Sequence, residues 1–184
     1  MPHPNRPFKL LAYDPTWPKQ FKTKAAILFK LLGSEALSIE HIGSTAIPGM
    51  IAKPQIDILI IVKDLNRIKD YYDQMQQAGF TPRGDYTGEC EEYFTEDAKG
   101  GSRLTSIHVL PKGHAWAKDL IDFRDYLRTH PEATYQYLES KRLAAEKYQD
   151  NYDAYHKTKR KTITVLRQKA VKWKQSESKK ELGL

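Results

Sequence analysis

The segment from Ile39 to Val62, IEHIGSTAIPGMIAKPQIDILIIV, constrains the fold more than any other part of this chain. Side chains alternate with period two before Gly43, and a nearly all-apolar run follows Pro54, which indicates two β-strands joined by a polar turn. The second strand opens with one acid, Asp57. An ionised carboxylate in such a strand is costly unless it is paired, hydrogen-bonded or bound to metal. Asp57 is therefore the candidate catalytic and metal-binding residue.

The turn between the two strands carries groups suited to phosphate. Gly43 lets the backbone approach a ligand closely, and successive N–H groups in such a turn form an anion-binding nest. The hydroxyls of Ser44 and Thr45 add hydrogen-bond donors. His41 before the turn and Lys53 after it complete the candidate phosphate ligands of this segment.

The motifs HIGSTAIPG and AKPQIDIL together resemble the GrpB family, a branch of the nucleotidyltransferase superfamily. The resemblance continues in FRDYLR before Pro131, in Tyr137 with Lys141 and in Tyr155 with Lys159, so it covers most of the chain. It implies an α+β fold, with a nucleotidyltransferase-like mixed sheet, flanking helices and a C-terminal helical segment. A domain similar to this family is fused to some bacterial dephospho-CoA kinases.

The metal-binding pattern of the nucleotidyltransferase superfamily, which the resemblance implies, is incomplete in this sequence. It consists of Gly-Ser followed by two acids that alternate on one strand and hold divalent metal, Mg²⁺, against a nucleoside triphosphate. Gly43, Ser44 and Asp57 fit the pattern, but Leu59 stands where the second acid would share the face of Asp57. Transfer with two metals needs oxygen ligands on both ions. Glu92, in a predicted strand, is the candidate second metal ligand; a solvent-facing edge position is its alternative.

Cations on the predicted C-terminal helices are candidates to complete a ligand site. Arg124 and Arg128 lie four residues apart on one helix face, where they suit bidentate contacts to phosphate. An ion pair of Arg124 with Asp125 of a neighbouring turn is the alternative. Lys141 falls on the apolar side of the next helix. Lys159 interrupts an apolar stripe, so it either extends outward to solvent or reaches an anion.

Two histidines on predicted strands, His41 and His108, would form a metal site with Asp57 if their strands were adjacent. The alternative is that both are histidines at the edge of the core, hydrogen-bonded to the backbone or to that aspartate. No HExxH-type spacing supports metal ligation, so we favour the alternative.

The composition predicts one globular domain. The chain has 184 residues, of which 40% are hydrophobic and 29% charged, and we assign residues 1–174 to a single domain and residues 175–184 to a basic, frayed tail. Cys90 is the only cysteine, which excludes an intramolecular disulfide. There is no long apolar run and no secretory leader, so we expect a cytoplasmic protein without a membrane partner. The oligomeric state stays open.

The net charge of +7 arises in the C-terminal part of the chain, because residues 141–184 hold 13 Lys or Arg against 5 Asp or Glu, and residues 1–140 hold 17 against 18. We expect a solvated helix face there rather than a nucleic-acid site, since no zinc finger, helix-turn-helix or aromatic RNA-binding motif accompanies it.

Sequence signals give an order of one helix, a sheet with an inserted helix, and three final helices. The first helix is expected from an N-cap at Asp14 to Gly33, the inserted one from Asp64 to Gly79, and the last from about residue 151 to 174. Three functions are compatible with this chain. One is a nucleotidyl- or phosphoryl-transferring enzyme, the second is a nucleotide- or coenzyme-binding module without chemistry, and the third is an interaction protein using its basic C-terminal helix.

Overall fold

The computed structural model describes residues 9–88, 91–148 and 151–181. Within them the chain forms five α-helices and five β-strands in the predicted order, which confirms the α+β class. Their bounds are α1 Trp17–Leu32, β1 Ala36–Ile42, β2 Ile56–Val62, α2 Tyr72–Gln77, β3 Thr81–Gly84, β4 Glu92–Asp97, β5 Arg103–Pro111, α3 Ala115–Thr129, α4 Pro131–Lys147 and α5 Tyr152–Glu181. Cys90 lies outside the described residues.

The strands form one mixed sheet in the order β1-β2-β5-β4-β3. β2 and β5 are parallel, and the other neighbouring strands are antiparallel. Asp57 pairs with Ser106, Leu59 pairs with His108, and His108 pairs with Tyr93 of β4. Because paired residues point to the same side of a sheet, these five side chains share one face.

The opposite face of the sheet packs against α1 and α2 and forms the largest core. Ile58 and Phe94 are fully buried there, in one cluster with Leu28 of α1 and Met75 of α2. The alternation along β2 therefore sends Ile56, Ile58 and Ile60 to this core and Asp57 to the other side.

The face that carries Asp57 is covered only in part by helices. Leu59 of the sheet packs with Ala117 of α3. α4 and α5 pack onto α3 through a separate apolar cluster that contains Tyr137 and Leu166. A cleft remains between this face, the β1–β2 turn and the last two helices.

Three element boundaries differ from the sequence prediction. Thr16, not Asp14, is the N-cap of α1, and Asp14 Oδ1 accepts a hydrogen bond from the Thr16 N–H at 2.8 Å. Asp64 begins the inserted helix as expected, but the first turns are 3₁₀ and α2 starts at residue 72. α5 continues past residue 174 to Glu181, whereas the division into a domain and a tail stays a prediction. No helix in the described part of the chain has both the length and the apolar character needed to cross a membrane.

Candidate functional site

The cleft beside Asp57 encloses about 350 Å³ and is open to solvent. It brings together most of the predicted site residues from the β1–β2 turn, β2, α4 and α5. Those that line it are Gly43, Ser44, Thr45, Lys53, Asp57, Lys141 and Lys159. The sequence therefore located the principal elements of this cleft.

The β1–β2 turn is held in place by its own hydroxyl groups. Thr45 is buried, its Oγ1 donates to the Gln55 carbonyl at 3.2 Å, and the same oxygen lies 3.0 Å from His41 Nε2. Ser44 Oγ lies 3.4 Å from the Tyr137 hydroxyl of α4. Thr45 thus fixes the turn against β2, while Ser44 connects it to the helical wall.

Asp57 is anchored by a chain of hydrogen bonds across the sheet. Its Oδ1 accepts from Gln55 Nε2 at 2.6 Å, and that amide also donates to Ser106 Oγ at 3.0 Å. Ser106 Oγ lies 2.7 Å from the Tyr93 hydroxyl, which accepts from Arg103 Nη1 at 2.8 Å. Among the described residues, Asp57 is the only acidic one that lines the cleft.

Two lysines of the cleft lie against tyrosine rings of α5. Lys53 Nζ donates to the Tyr152 hydroxyl at 2.7 Å and lies 4.6 Å from the centre of that ring. Lys159 Nζ lies 5.5 Å from the centre of the Tyr155 ring. These contacts hold both ammonium groups at the helical wall.

Lys141 is the most buried cation of the site, with 2% of its surface exposed. Its Nζ donates to the Ile51 carbonyl. Burial, together with repulsion from Lys159 and Lys53, holds the pKa of Lys141 well below its ordinary value, and Asp57 acts in the opposite direction. An anion in the cleft would relieve this repulsion.

Two buried nitrogen atoms of α5 have no hydrogen-bond partner within the described residues. They are His156 Nε2 and Arg167 Nε, and both residues line the cleft. Burial lowers the pKa of His156 to about 2, assisted by the charges of Lys159, Lys53 and Arg160. The two residues lie three helical turns apart, roughly 16 Å along α5. The α5 wall of the cleft thus carries two nitrogen atoms available for hydrogen bonds, one at each end of a stretch long enough for an extended ligand.

Two predicted ligands, His41 and Glu92, face the other side of the sheet. His41 stacks on Phe21 of α1 at a centroid distance of 4.7 Å, and burial with Arg128 and Arg124 lowers its pKa to about 4. Glu92 is buried and accepts a hydrogen bond from the Tyr72 hydroxyl. Strand alternation turns Tyr93, not Glu92, towards Asp57, so Glu92 is not placed to act as the second metal ligand.

Arg124 and Arg128 support the turn from behind and do not line the cleft. Arg124 Nη1 donates to Glu40 Oε2 at 2.7 Å, and its Nε donates to Asp125 Oδ1 at 2.7 Å. Arg128 Nε donates to the Ala46 carbonyl at 2.9 Å. The alternative of a structural ion pair for Arg124 is therefore the one observed.

Several polar residues of the cleft were absent from the predicted set. They are Gln55, Tyr93, Ser106, Tyr152, Tyr155, His156 and Arg167. His108, which the sequence suggested only as a metal ligand beside Asp57, also lines the cleft. Gln55 was accessible to sequence reasoning, since it precedes Asp57 by two positions and shares its face. His108 and Ser106 depend on the pairing of β5 with β2, which local patterns do not reveal. Across the described ranges no cluster of three His, Cys, Asp or Glu side chains suits a metal ion.

The sequence comparisons assign a family. The profile of the family described as GrpB protein matches residues 7–169. This chain belongs to the GrpB family. YqkA of Bacillus subtilis is 33% identical over 173 residues, which cover 94% of this chain and 50% of YqkA. BH1888 of Halalkalibacterium halodurans is 37% identical over 145 residues, covering 79% of this chain and 72% of that relative.

Longer relatives and solved structures extend the comparison. A dephospho-CoA kinase of Mycolicibacterium paratuberculosis is 28% identical over 194 residues, covering 92% of this GrpB-family chain and 47% of the kinase. The chain thus spans about half the length of YqkA and of this kinase. The crystal structure of GrpB from Enterococcus faecalis superposes with a TM-score of 0.83 at 27% identity, covering 89% of this chain and 98% of that one.

The predicted nucleotidyltransferase-like fold is also confirmed. The Cid1 poly(U) polymerase, solved with Mg and 3′-dATP bound, superposes with a TM-score of 0.54 at 11% identity. The match covers 81% of this chain and 49% of Cid1. At this identity the likeness concerns the fold alone.

Proposed function

We propose that this GrpB-family protein binds a nucleotide or a phosphorylated coenzyme-type molecule in the cleft. One observation carries the proposal: within the part of the chain that the structure describes, four cationic side chains and a single carboxylate line the same cleft. The cations are Lys53, Lys141, Lys159 and Arg167. Neighbouring cations that are partly desolvated repel one another. A polyanionic ligand offsets this repulsion, and the relief contributes to its binding free energy.

Arg167 gives the proposal a specific contact. Its buried Nε has no partner within the described residues, and a buried donor left unpaired costs about 1–3 kcal/mol. The guanidinium group matches phosphate oxygens in bidentate geometry, so a phosphate at this wall would satisfy the donor. Phe123 supports the group from one side, with its ring centre 5.8 Å from Arg167 Cζ.

The oxygen donors of the cleft fit one Mg²⁺ ion that arrives with a nucleotide. Magnesium in phosphate-binding sites commonly uses one or two carboxylates together with substrate phosphates and water. Asp57 supplies one carboxylate, while the second position holds the fully buried side chain of Leu59. A bound ion would neutralise phosphate charge. Among the described residues that line the cleft there is no second carboxylate for a second ion.

The relatives support a ligand of this class. Cid1 has been solved with Mg and 3′-dATP, and a matching relative is a dephospho-CoA kinase. A nucleoside triphosphate and a coenzyme precursor both carry the phosphates that the cations of the cleft would bind. The cytoplasmic location stays a prediction.

A second candidate function is a binding or regulatory module without chemistry. Leu59 favours it, because the second acid of two-metal transfer is absent from β2. The third alternative, an interaction protein, gains no comparable support, since the apolar side of α5 packs into the fold through Leu166 and Ala170. Turnover of a bound nucleotide separates the first two functions.

The binding proposal is tested by thermal unfolding with ATP, UTP, coenzyme A and dephospho-CoA, each with and without MgCl₂. A ligand present at 100 times its Kd stabilises the folded state by about 2.7 kcal/mol. We expect at least one of these ligands to raise the Tm, and sodium sulfate at the same ionic strength to have a smaller effect. The absence of any ligand-specific shift would overturn the proposal.

A matched pair of variants locates the site. Arg167→Met removes a cation of the cleft wall, whereas Lys169→Met removes an exposed one from the same helix. Loss of a charge-assisted contact of about 1.5–3 kcal/mol predicts at least a tenfold weaker Kd for Arg167→Met. Lys169→Met should stay within about twofold of the parent. Equal losses in both variants would place the ligand elsewhere.

A further inference from the structure

A histidine–glutamate pair lies at the edge of the cleft, and nucleotide binding alone does not require it. His108 Nδ1 lies 2.6 Å from Glu91 Oε2. The Glu91 side chain has 0% of its surface exposed, and its other oxygen accepts from the Thr87 N–H at 3.2 Å. A carboxylate that is held at both oxygens fixes the imidazole that contacts it.

The pair determines which nitrogen of His108 is basic. An ionised carboxylate only accepts hydrogen bonds, so Nδ1 carries the proton and Nε2 carries the lone pair. Nε2 has no hydrogen-bond partner in the described part of the chain. The rings of Tyr93 and Trp116 pack beside the imidazole, at centroid distances of 4.9 and 5.2 Å. His108 therefore presents one oriented, basic nitrogen to a molecule in the cleft.

The position of His108 relates it to the incomplete acid pattern. On β5 it pairs with Leu59, the site of the absent second carboxylate, and Ser106 two residues earlier pairs with Asp57. Strand spacing places the Cα atoms of Asp57 and His108 roughly 8 Å apart on one face of the sheet. Asp57 and His108 both line the cleft, so a phosphate near Asp57 and an acceptor hydroxyl near Nε2 would share one cavity.

We infer that His108, oriented by Glu91, is the general base of a nucleotidyl transfer from a nucleoside triphosphate to a hydroxyl acceptor. The inference rests on the proposed nucleotide binding. The acceptor O–H gives its proton to Nε2, and its oxygen forms a bond to the α-phosphorus. The bond from that phosphorus to the oxygen bridging to the β-phosphate breaks, and pyrophosphate leaves with the electron pair. Glu91 stabilises the imidazolium until it returns its proton to solvent.

The test measures pyrophosphate release and nucleotide affinity on the same samples. ATP and UTP serve as donors, and dephospho-CoA, an RNA oligonucleotide with a free 3′-hydroxyl and water serve as acceptors. His108→Gln should lower turnover by about 10²–10⁴-fold and leave the nucleotide Kd within about threefold of the parent. His114→Gln, which changes a histidine outside the cleft, should retain parental turnover.

The pH profile and a conservative variant test the role of Glu91. A general base must be unprotonated to accept a proton, so parental turnover should fall at acidic pH, and His108→Gln should lose this dependence on pH. Glu91→Gln retains the shape of the side chain but accepts less strongly, so turnover should fall while nucleotide binding persists. A Glu91→Gln variant with parental turnover and pH profile would overturn the role of Glu91.

Several outcomes overturn the inference, and they are distinguishable from failure of binding. Nucleotide binding without release of pyrophosphate from the nucleotide in the presence of any of the acceptors would overturn the base assignment and leave the binding proposal intact. Parental turnover in His108→Gln would do the same. If the variants fail to fold, ¹⁵N-imidazole NMR of the parent protein shows which ring nitrogen of His108 carries the proton. A proton on Nε2 at neutral pH would exclude His108 as the general base. Absence of nucleotide binding would remove both proposals.

Discussion

The carboxylate of Asp57 fills the space that a side chain at Gly43 would occupy. A β-carbon built on Gly43 would stand 2.3 Å from Asp57 Oδ2 and 2.9 Å from Asp57 Cβ. Gly43 also has a φ of 71°, in the left-handed region that favours glycine. The glycine that the sequence suggested for close approach of a phosphate therefore also permits close approach of the acid on the neighbouring strand.

Gly43→Ala should destabilise the protein by more than Gly49→Ala. Both glycines have positive φ, 71° and 77°, but a β-carbon on Gly49 would meet nothing within 4 Å. Left-handed strain alone costs about 1–2 kcal/mol, which is the effect we expect at Gly49. Gly43→Ala must also displace Asp57. Urea unfolding of both variants measures the difference, and equal losses would mean that Asp57 moves aside without cost.

Asp57→Asn should abolish the dependence of nucleotide binding on Mg²⁺ and largely retain the fold. Asparagine keeps the shape and its Oδ1 still accepts from Gln55, but it lacks the charge that a magnesium ion requires. Titration of ATP with and without MgCl₂, combined with the Tm of each protein, measures both effects. Severe loss of stability with an unchanged magnesium response would make Asp57 a structural residue instead.

His156 should make the protein less stable at acidic pH. Its pKa is about 2 in the folded state against 6.5 as the ordinary value. Between these values the unfolded chain binds a proton that the folded protein does not, so stability falls as the pH drops below 6.5. By pH 5 the loss approaches about 2 kcal/mol. Urea unfolding at several values between pH 7 and 5 gives the free energy of unfolding, and this free energy should depend less on pH in His156→Gln than in the parent protein.

The pH dependence of stability needs a control, because His41 also has a lowered pKa, about 4, and also makes the protein less stable at acidic pH. Part of the acid dependence should therefore persist in His156→Gln and disappear only when His41 is also replaced. His114→Gln controls for the loss of a histidine outside the cleft. If the free energy of unfolding depends on pH equally in His156→Gln and in the parent, then His156 takes up its proton in the folded state.

Local periodicity predicted those parts of the site that depend on one element. The apolar stripe of α5 contained Lys159 but left open whether its side chain extends to solvent or reaches an anion, and the structure places this lysine at the cleft. The alternation of β2 put Leu59 on the face of Asp57, and the structure agrees. These inferences needed only the 3.6-residue and two-residue periods. Periodicity was also enough to place Lys141 on the inner side of α4.

Long-range pairing decided the parts that sequence reasoning missed. The helical period identifies the buried side of α3 but not the element that packs against this side. Arg124 contacts Glu40 behind the turn and does not reach the cleft. Glu92 and Tyr93 alternate on β4, and only the register with β5 shows which of them faces Asp57. The position of His108 depends on β5 lying beside β2 although 40 residues separate Val62 and Arg103 in the chain.

Lys159→Met should weaken nucleotide binding more than Lys157→Met. Both residues belong to α5, but Lys159 lines the cleft and Lys157 is exposed to solvent. Methionine retains an apolar stem of similar length, so packing against Tyr155 is largely kept while the charge is lost. A charge-assisted contact to phosphate predicts about a tenfold increase in Kd for Lys159→Met, measured by calorimetry with ATP. For Lys157→Met we expect less than a twofold change that disappears at high salt. Equal, salt-sensitive losses in the two variants would mean that α5 attracts nucleotide through its overall charge and that Lys159 makes no specific contact.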